Sequence, residues 1–260
     1  MIIGWVLRLT SSTSKGDRQK MGQGNLHERI ERAIGERILL GEFAPGTLLP
    51  NEAEWGKTYK ASRTAVREAI KSLSAKGLVH SRPKIGTRVE PRSRWNMLDR
   101  DVLTWLRVAM DRKAFMLSTQ EARRLIEPGV AELAARKRSP QQLLRLEEAF
   151  AAMQIAKTRP QIVNADVEFH EALMACANNE LLIPFGIIIE QALSNLFDYT
   201  TSRNPHYANA LKLHQRIVRK VAAGDSNGAH VAMQALLQDT DDIIRAAQDS
   251  SGRAAARIPA

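Results

Sequence analysis

Ser62-Arg63-Thr64-Ala65-Val66-Arg67-Glu68-Ala69-Ile70-Lys71-Ser72-Leu73-Ser74-Ala75 carries two patterns at once. Val66, Ala69, Ile70 and Leu73 recur at the three- and four-residue spacing of a helix with one buried stripe. Ser62 in front is a good N-cap, because its hydroxyl can accept from a free backbone N–H of the first turn. With the stripe turned inward, Arg63, Thr64, Arg67 and Lys71 fall on the outward side of the first turns, where donors can reach phosphates and guanine edges. The helix N-terminus itself, Ser62 included, offers further N–H groups to a phosphate. Glu68 is out of place on such a face and is expected to pair with a neighbouring arginine.

Upstream, Leu26, Ile30, Ala33, Ile34, Ile38 and Leu39 predict a first helix that stops at Gly41. Pro45-Gly46 turns the chain, and Pro50 can open a short second helix over Asn51 to Tyr59. Downstream of Gly77, Leu78 to Ser81 and Thr87 to Val89 read as two short strands around the basic turn Arg82-Pro83-Lys84-Ile85-Gly86. Helix, short helix, longer helix and ribbon is the layout of a winged helix-turn-helix, whose third helix enters the DNA major groove. Lys84 at the wing tip is then placed to touch the DNA backbone or an adjacent minor groove.

The charge is distributed to match. The chain has 260 residues and a formal net charge of +10. Residues 1–96 hold 18 Lys and Arg against 9 Asp and Glu, whereas residues 97–260 hold 20 against 19. A small basic domain joined to a nearly neutral one fits a polyanion partner for the first alone. At 44% hydrophobic and 25% charged, the composition excludes a disordered or collagen-like chain. One cysteine, Cys176, allows no internal disulfide. The apolar run 181–189 is too short to span a membrane and is broken by Pro184 and Gly186, and residues 1–9 lack the flanks of a secretory signal. The expected location is the cytoplasm, with no membrane partner.

Residues 1–24 read as a tail, with Met21 as an alternative start; 25–91 as the winged helix-turn-helix; 92–118 as a linker and short helix; and 249–260 as a second tail. Between them, 119–248 shows helical period almost throughout, over 119–137, 140–157, 161–177, 179–200, 207–223 and 226–247, with turn residues at each break. The fold class is mainly α: an N-terminal winged helix-turn-helix plus a C-terminal all-α helical bundle.

Asp166 and His170, four apart, project from one helix face, while Val167 and Phe169 point elsewhere. A carboxylate and an imidazole so spaced can chelate one ion, and His214 on a neighbouring helix could add a third ligand. Three N/O ligands with open positions suit zinc, nickel or manganese and an exogenous carboxylate. The plainer alternative is a surface pair or a hydrogen-bonded core pair.

Pro45-Gly46-Thr47-Leu48-Leu49-Pro50-Asn51-Glu52, then Ser62 to Ile70, Leu73 to Val79 and Gly86-Thr87-Arg88-Val89 together resemble the DNA-binding domain of the GntR family of bacterial transcriptional regulators. Trp55 stands where the family commonly has leucine. The resemblance implies DNA contacts from Ser62, Arg63, Thr64 and Arg67, with Lys84 on the wing. Glu121 to Pro128, Asp166 to Leu173 and His214 to Asp225 resemble the ligand-binding domain, called FCD, of the FadR subfamily. That resemblance implies a divalent metal held by one aspartate and three histidines, with an effector carboxylate near the ion and an arginine of the first helix. Asp166, His170 and His214 match three ligands and Arg123 matches the arginine, while Leu236 stands where the fourth ligand is usually histidine. Asp239, one turn from Leu236, is expected to be a surface charge, and His27, His80, His206 and His230 match no ligand position. Gln191 and Asn195 are candidates for effector hydroxyls, or for helix-to-helix hydrogen bonds. Trp95-Asn96, Leu98-Asp99, Asp101-Val102-Leu103 and Trp105, with Glu127-Pro128, resemble the galactonate-responsive repressors of sugar-acid operons.

The expected function is a homodimeric, non-enzymatic repressor that binds an inverted-repeat operator and is released by a sugar-acid carboxylate. A metalloenzyme acting on a sugar acid, a regulator answering another small carboxylic acid and a nonspecific nucleoid protein are the alternatives.

Overall fold

The computed structural model describes residues 26–199 and 207–255. The expected tail 1–24, His206 and the break at Asn204-Pro205 lie outside them. The chain divides into two compact units, 1–97 and 98–260.

In the first unit, α1 (Leu26–Leu39) buries Ile30, Ile34 and Ile38 against α3 (Arg63–Ala75), which contributes Val66, Ala69, Ile70 and Leu73. Glu31 lies in that seam, where its carboxylate accepts from the Ser72 hydroxyl at 2.6 Å and faces Lys76 Nζ at 3.6 Å. The short α2 (Glu52–Tyr59) does not start at Asn51. Asn51 is its N-cap, accepting from Ala53 and Glu54 N–H at 3.0 Å while the Glu54 carboxylate accepts from Asn51 N–H at 2.7 Å. Trp55 fills the core, stacked on Tyr59 with ring centres 5.5 Å apart. For α3 the cap is Ser62, whose hydroxyl accepts from Ala65 N–H at 3.2 Å.

The wing is an antiparallel pair, β1 (Val79–Arg82) and β2 (Gly86–Val89), in register Val79 to Val89 and Arg82 to Gly86. Leu48 adds a bridge to Arg88, which ties the loop before α2 to the wing. Gly77, between α3 and β1, has φ +73, and a Cβ there would run into the Arg94 carbonyl oxygen. Left-handed backbone alone costs a non-glycine residue about 1–2 kcal/mol. Gly77→Ala is therefore expected to lower unfolding free energy by about 2 kcal/mol or more, measured by urea unfolding; an unchanged midpoint would refute the requirement.

The second unit is entirely helical among the described residues. Its elements are α4 (Arg100–Ala109), α5 (Arg112–Lys137), α6 (Pro140–Ile155), α7 (Arg159–Cys176), α8 (Gly186–Tyr199), α9 (Tyr207–Ala222) and α10 (Ser226–Ala255). Three boundaries differ from expectation. Helix α5 begins at Arg112 rather than 119, because Asp111 caps it from Ala114 N–H at 2.9 Å and Phe115 and Met116 are already buried. Helix α8 begins at Gly186 rather than 179, since Pro184 falls in a separate 3-10 turn, Ile183–Phe185. Helix α10 continues to Ala255, past the boundary expected at 248.

Ser139 with Gln142, and Thr158 with Gln161, form reciprocal caps that start α6 and α7. Helix α5 packs on α10, α6 on α7 and α9 on α10. Val130, Leu146, Phe169, Leu173, Ile217 and Leu237 meet between them. Cys176 closes α7, fully buried, its thiol donating to the Gln142 carbonyl at 3.5 Å. Burial pushes that thiol up to about 11. Among the described residues, no helix is long and apolar enough to cross a membrane.

Candidate functional site

Two faces of the chain gather chemistry-bearing side chains. On the first unit, Ser62, Arg63, Thr64, Arg67 and Lys71 are all exposed on α3 or its cap, and Lys84 is exposed at the wing tip with φ +64. Arg67, Lys71, Arg82 and Lys84 line an open groove of about 950 Å³ between α3 and the wing, with Glu52 and Glu54 also on its wall. Glu68 does not pair with an arginine. Its carboxylate accepts from Lys71 Nζ at 2.8 Å, one helical turn on, and that ammonium holds Glu68 below the usual carboxylate range. The pairing leaves Arg63 and Arg67 as the face's arginines outside this contact. Arg88 serves the fold instead, donating to the Gly46 carbonyl at 2.9 Å.

In the second unit, α5, α7 and α9 bring Arg123, Asp166, His170 and His214 into one buried centre. Asp166 Oδ1 lies 3.2 Å from His214 Nε2 and 3.5 Å from His170 Nε2. One ligand atom from each of these three residues lies within 4.8 Å of the others, close enough to share an ion. Neither contact is directed as a hydrogen bond, so Asp166 Oδ1, His170 Nε2 and His214 Nε2 are all buried without a partner. Unsatisfied polar atoms are costly in a dry interior, and three converging on one point are what a cation would satisfy.

The far nitrogens of the two rings are held differently. His214 Nδ1 donates to the Ala210 carbonyl at 2.7 Å, whereas His170 Nδ1 lies 2.7 Å from Glu127 Oε2 as an ion-pair contact that, like those to Asp166, is not directed as a hydrogen bond. The Ala210 carbonyl directs His214 Nε2 to the shared point, while on the far side of the His170 ring stands the Glu127 charge. Arg123 Nε donates to the other Glu127 oxygen at 2.5 Å. Burial alone would lower His170, but the Glu127 and Asp166 carboxylates outweigh it and raise the ring to about 9. Burial likewise opposes ionisation of Glu127, yet Arg123 and His170 bring it down to about 2, and Asp166 is lowered by its two histidines against the same opposition.

Phe169 does not point away from this centre. It is fully buried, and its ring meets His214 edge-on at 4.7 Å and His170 at 5.5 Å, a ring contact between helices that the i,i+4 spacing alone does not reveal. Gln191 donates to the Thr104 hydroxyl at 3.3 Å, a helix-to-helix bond between α8 and α4. Asn195, 1% exposed, keeps a side-chain nitrogen without a partner. Leu236 is buried, and Asp239 accepts from Asn209 at the surface, 2.8 Å away. His80, in the first unit, lies 3.0 Å from Glu90, and His230 lies 3.5 Å from Glu132. Glu127 is the member of the centre to which the sequence assigned no role. The local signal was present, since Glu127 follows Arg123 by one turn as an opposite-charge pair.

Comparison with known proteins places both units. The family model for bacterial regulatory proteins, gntR family, matches residues 26–89, and the FCD domain model matches residues 119–239. The HTH-type transcriptional regulator YieP of Escherichia coli (strain K12) is 36% identical over 226 residues, covering 86% of this chain and 97% of that protein. The galactonate operon transcriptional repressor of Escherichia coli (strain K12) is 31% identical over 211 residues, covering 80% and 92%. The HTH-type transcriptional regulator LutR of Bacillus subtilis (strain 168) is 30% identical over 210 residues, covering 78% and 94%.

Proposed function

The chain belongs to the GntR family of bacterial regulatory proteins and is a DNA-binding transcriptional regulator rather than an enzyme; from that premise we propose that it represses a sugar-acid catabolic operon and leaves its operator when a carboxylate effector binds. The observation that carries the effector half is the buried centre, where Arg123 stands beside three unpartnered ligand atoms from Asp166, His170 and His214. The likeness to a galactonate operon repressor favours a sugar acid within the carboxylate class.

Ser62, Arg63, Thr64, Arg67 and Lys71 on α3 read the major groove, and Lys84 touches the flanking backbone or minor groove. One such small reader specifies few base pairs, so two chains pair as a homodimer on an inverted repeat. The work is done in the cytoplasm, where the operator is. The metal that an FCD domain implies fits the donor set: Asp166 Oδ1, His170 Nε2 and His214 Nε2 would hold zinc, nickel or manganese. Bound there, the ion would supply a positive charge for an effector carboxylate. Arg123 binds and orients that carboxylate, and Asn195 offers its unpartnered nitrogen to a hydroxyl. Release follows if the effector binds more tightly to the arrangement that cannot engage both half-sites.

The test is a gel-shift titration at fixed salt on DNA upstream of the chain's own gene, with a panel of aldonates. One aldonate is expected to dissolve a sequence-specific complex. Release by short hydroxy acids alone would move the effector class, and a specific complex that no carboxylate dissolves would overturn the effector reading.

A further inference from the structure

Glu127 divides one carboxylate between two groups that the proposed function assigns to different ligands. Its Oε1 lies 2.5 Å from Arg123 Nε and its Oε2 lies 2.7 Å from His170 Nδ1. It is 1% exposed, so no water competes for either oxygen. The two histidines of the centre differ on this point. His214 is fixed by the Ala210 carbonyl on its own helix, a neutral and immobile acceptor. His170 Nδ1 instead faces, without a directed hydrogen bond, a charge that Arg123 also claims.

We propose that Glu127 is a positioning residue coupling the arginine end of the centre to the histidine end, so that an anion on Arg123 and a divalent cation on His170 Nε2 tighten one another. The inference rests on the effector and metal reading above. An anion neutralises the guanidinium and weakens its hold on Glu127. More of the carboxylate's charge then falls on His170 Nδ1, and a ring whose far N–H faces a carboxylate is the better ligand at Nε2. A cation on Nε2 draws Glu127 toward His170 in turn and leaves Arg123 freer for an anion. Linkage makes the two factors equal. A residue that only neutralised two buried cations would transmit nothing between them.

Zinc alone tests this, by calorimetric titration of the full-length chain as wild type, Arg123→Leu, Glu127→Gln and the double variant. Glu127→Gln is expected to weaken zinc binding about tenfold or more, as loss of an outer carboxylate does at other metal centres. Arg123→Leu, which mimics a neutralised arginine, is expected to tighten it. The tightening should be at least about fivefold greater with Glu127 present than in the Glu127→Gln background, within the usual range of coupling between sites. Direct repulsion between guanidinium and zinc acts in both backgrounds and cancels in the cycle. Should Arg123→Leu fail to fold, Arg123→Gln carries the same expectation. Zinc binding in which the two substitutions act independently, or in which Arg123→Leu weakens zinc, overturns the coupling and leaves the metal reading standing. A wild-type chain that binds no zinc overturns both.

Discussion

Alanine at both Arg63 and Arg67 is expected to weaken operator binding by about 100-fold or more at fixed salt, since each bidentate contact to a base edge is worth about 1–3 kcal/mol. Both side chains stand exposed on α3, while Val66, Ala69, Ile70 and Leu73 carry the packing, so the fold should not change. Effector and metal binding should be untouched, because Arg123 and the three ligand residues belong to the other unit. Lys84→Ala should behave differently. A wing-tip phosphate contact would be lost about equally on any sequence, with the salt dependence reduced by roughly one counterion. Fluorescence anisotropy on operator and random duplexes, each across a salt series, separates the two cases. Operator binding that survives the double arginine variant would remove α3 as the reading helix.

Asp166→Asn is expected to lower zinc affinity by more than about 100-fold, since outer partners alone are worth 10–100-fold and Asp166 supplies the carboxylate that both Nε2 atoms face. The variant keeps the size and burial of the side chain but removes the negative charge between two imidazoles. It should stay bound to operator DNA at aldonate concentrations that release the wild type. Equilibrium dialysis with zinc and the gel shift with effector read the two consequences independently. Unchanged zinc affinity would dismiss Asp166 as a ligand; lost zinc with intact release would separate the metal from the response.

How far the chain could be read without coordinates depended on whether the deciding interaction was local. Helix α3 was legible at both ends because Ser62 caps it and its stripe repeats within two turns. The start of α5 was not: Asp111 is an adequate cap, but Phe115 and Met116 are followed by the exposed Leu117 and Ser118, which breaks the apolar pattern at the first turn. At α8 the helical period was extended back to residue 179 through Pro184 and Gly186, and Pro184 decided where the helix could begin. The buried centre divides in the same way. Asp166 and His170 sit on one helix and announce themselves by spacing, whereas the approach of Glu127 to His170 spans α5 and α7 and no periodicity encodes it. Glu68 fell between these cases, with Arg67 adjacent in sequence but Lys71 one turn ahead on the same face.

Cys176 gives the molecule a practical property. The single thiol is sealed at the end of α7 and almost wholly protonated at neutral pH, so maleimide or iodoacetamide reagents meet essentially no thiolate in the folded chain. A cysteine introduced on the exposed face of α3 or at the wing tip would therefore accept a fluorophore or spin label without first mutating the native one. If two chains pair as proposed, the distance between their α3 helices, with and without effector, becomes measurable on an otherwise unaltered protein.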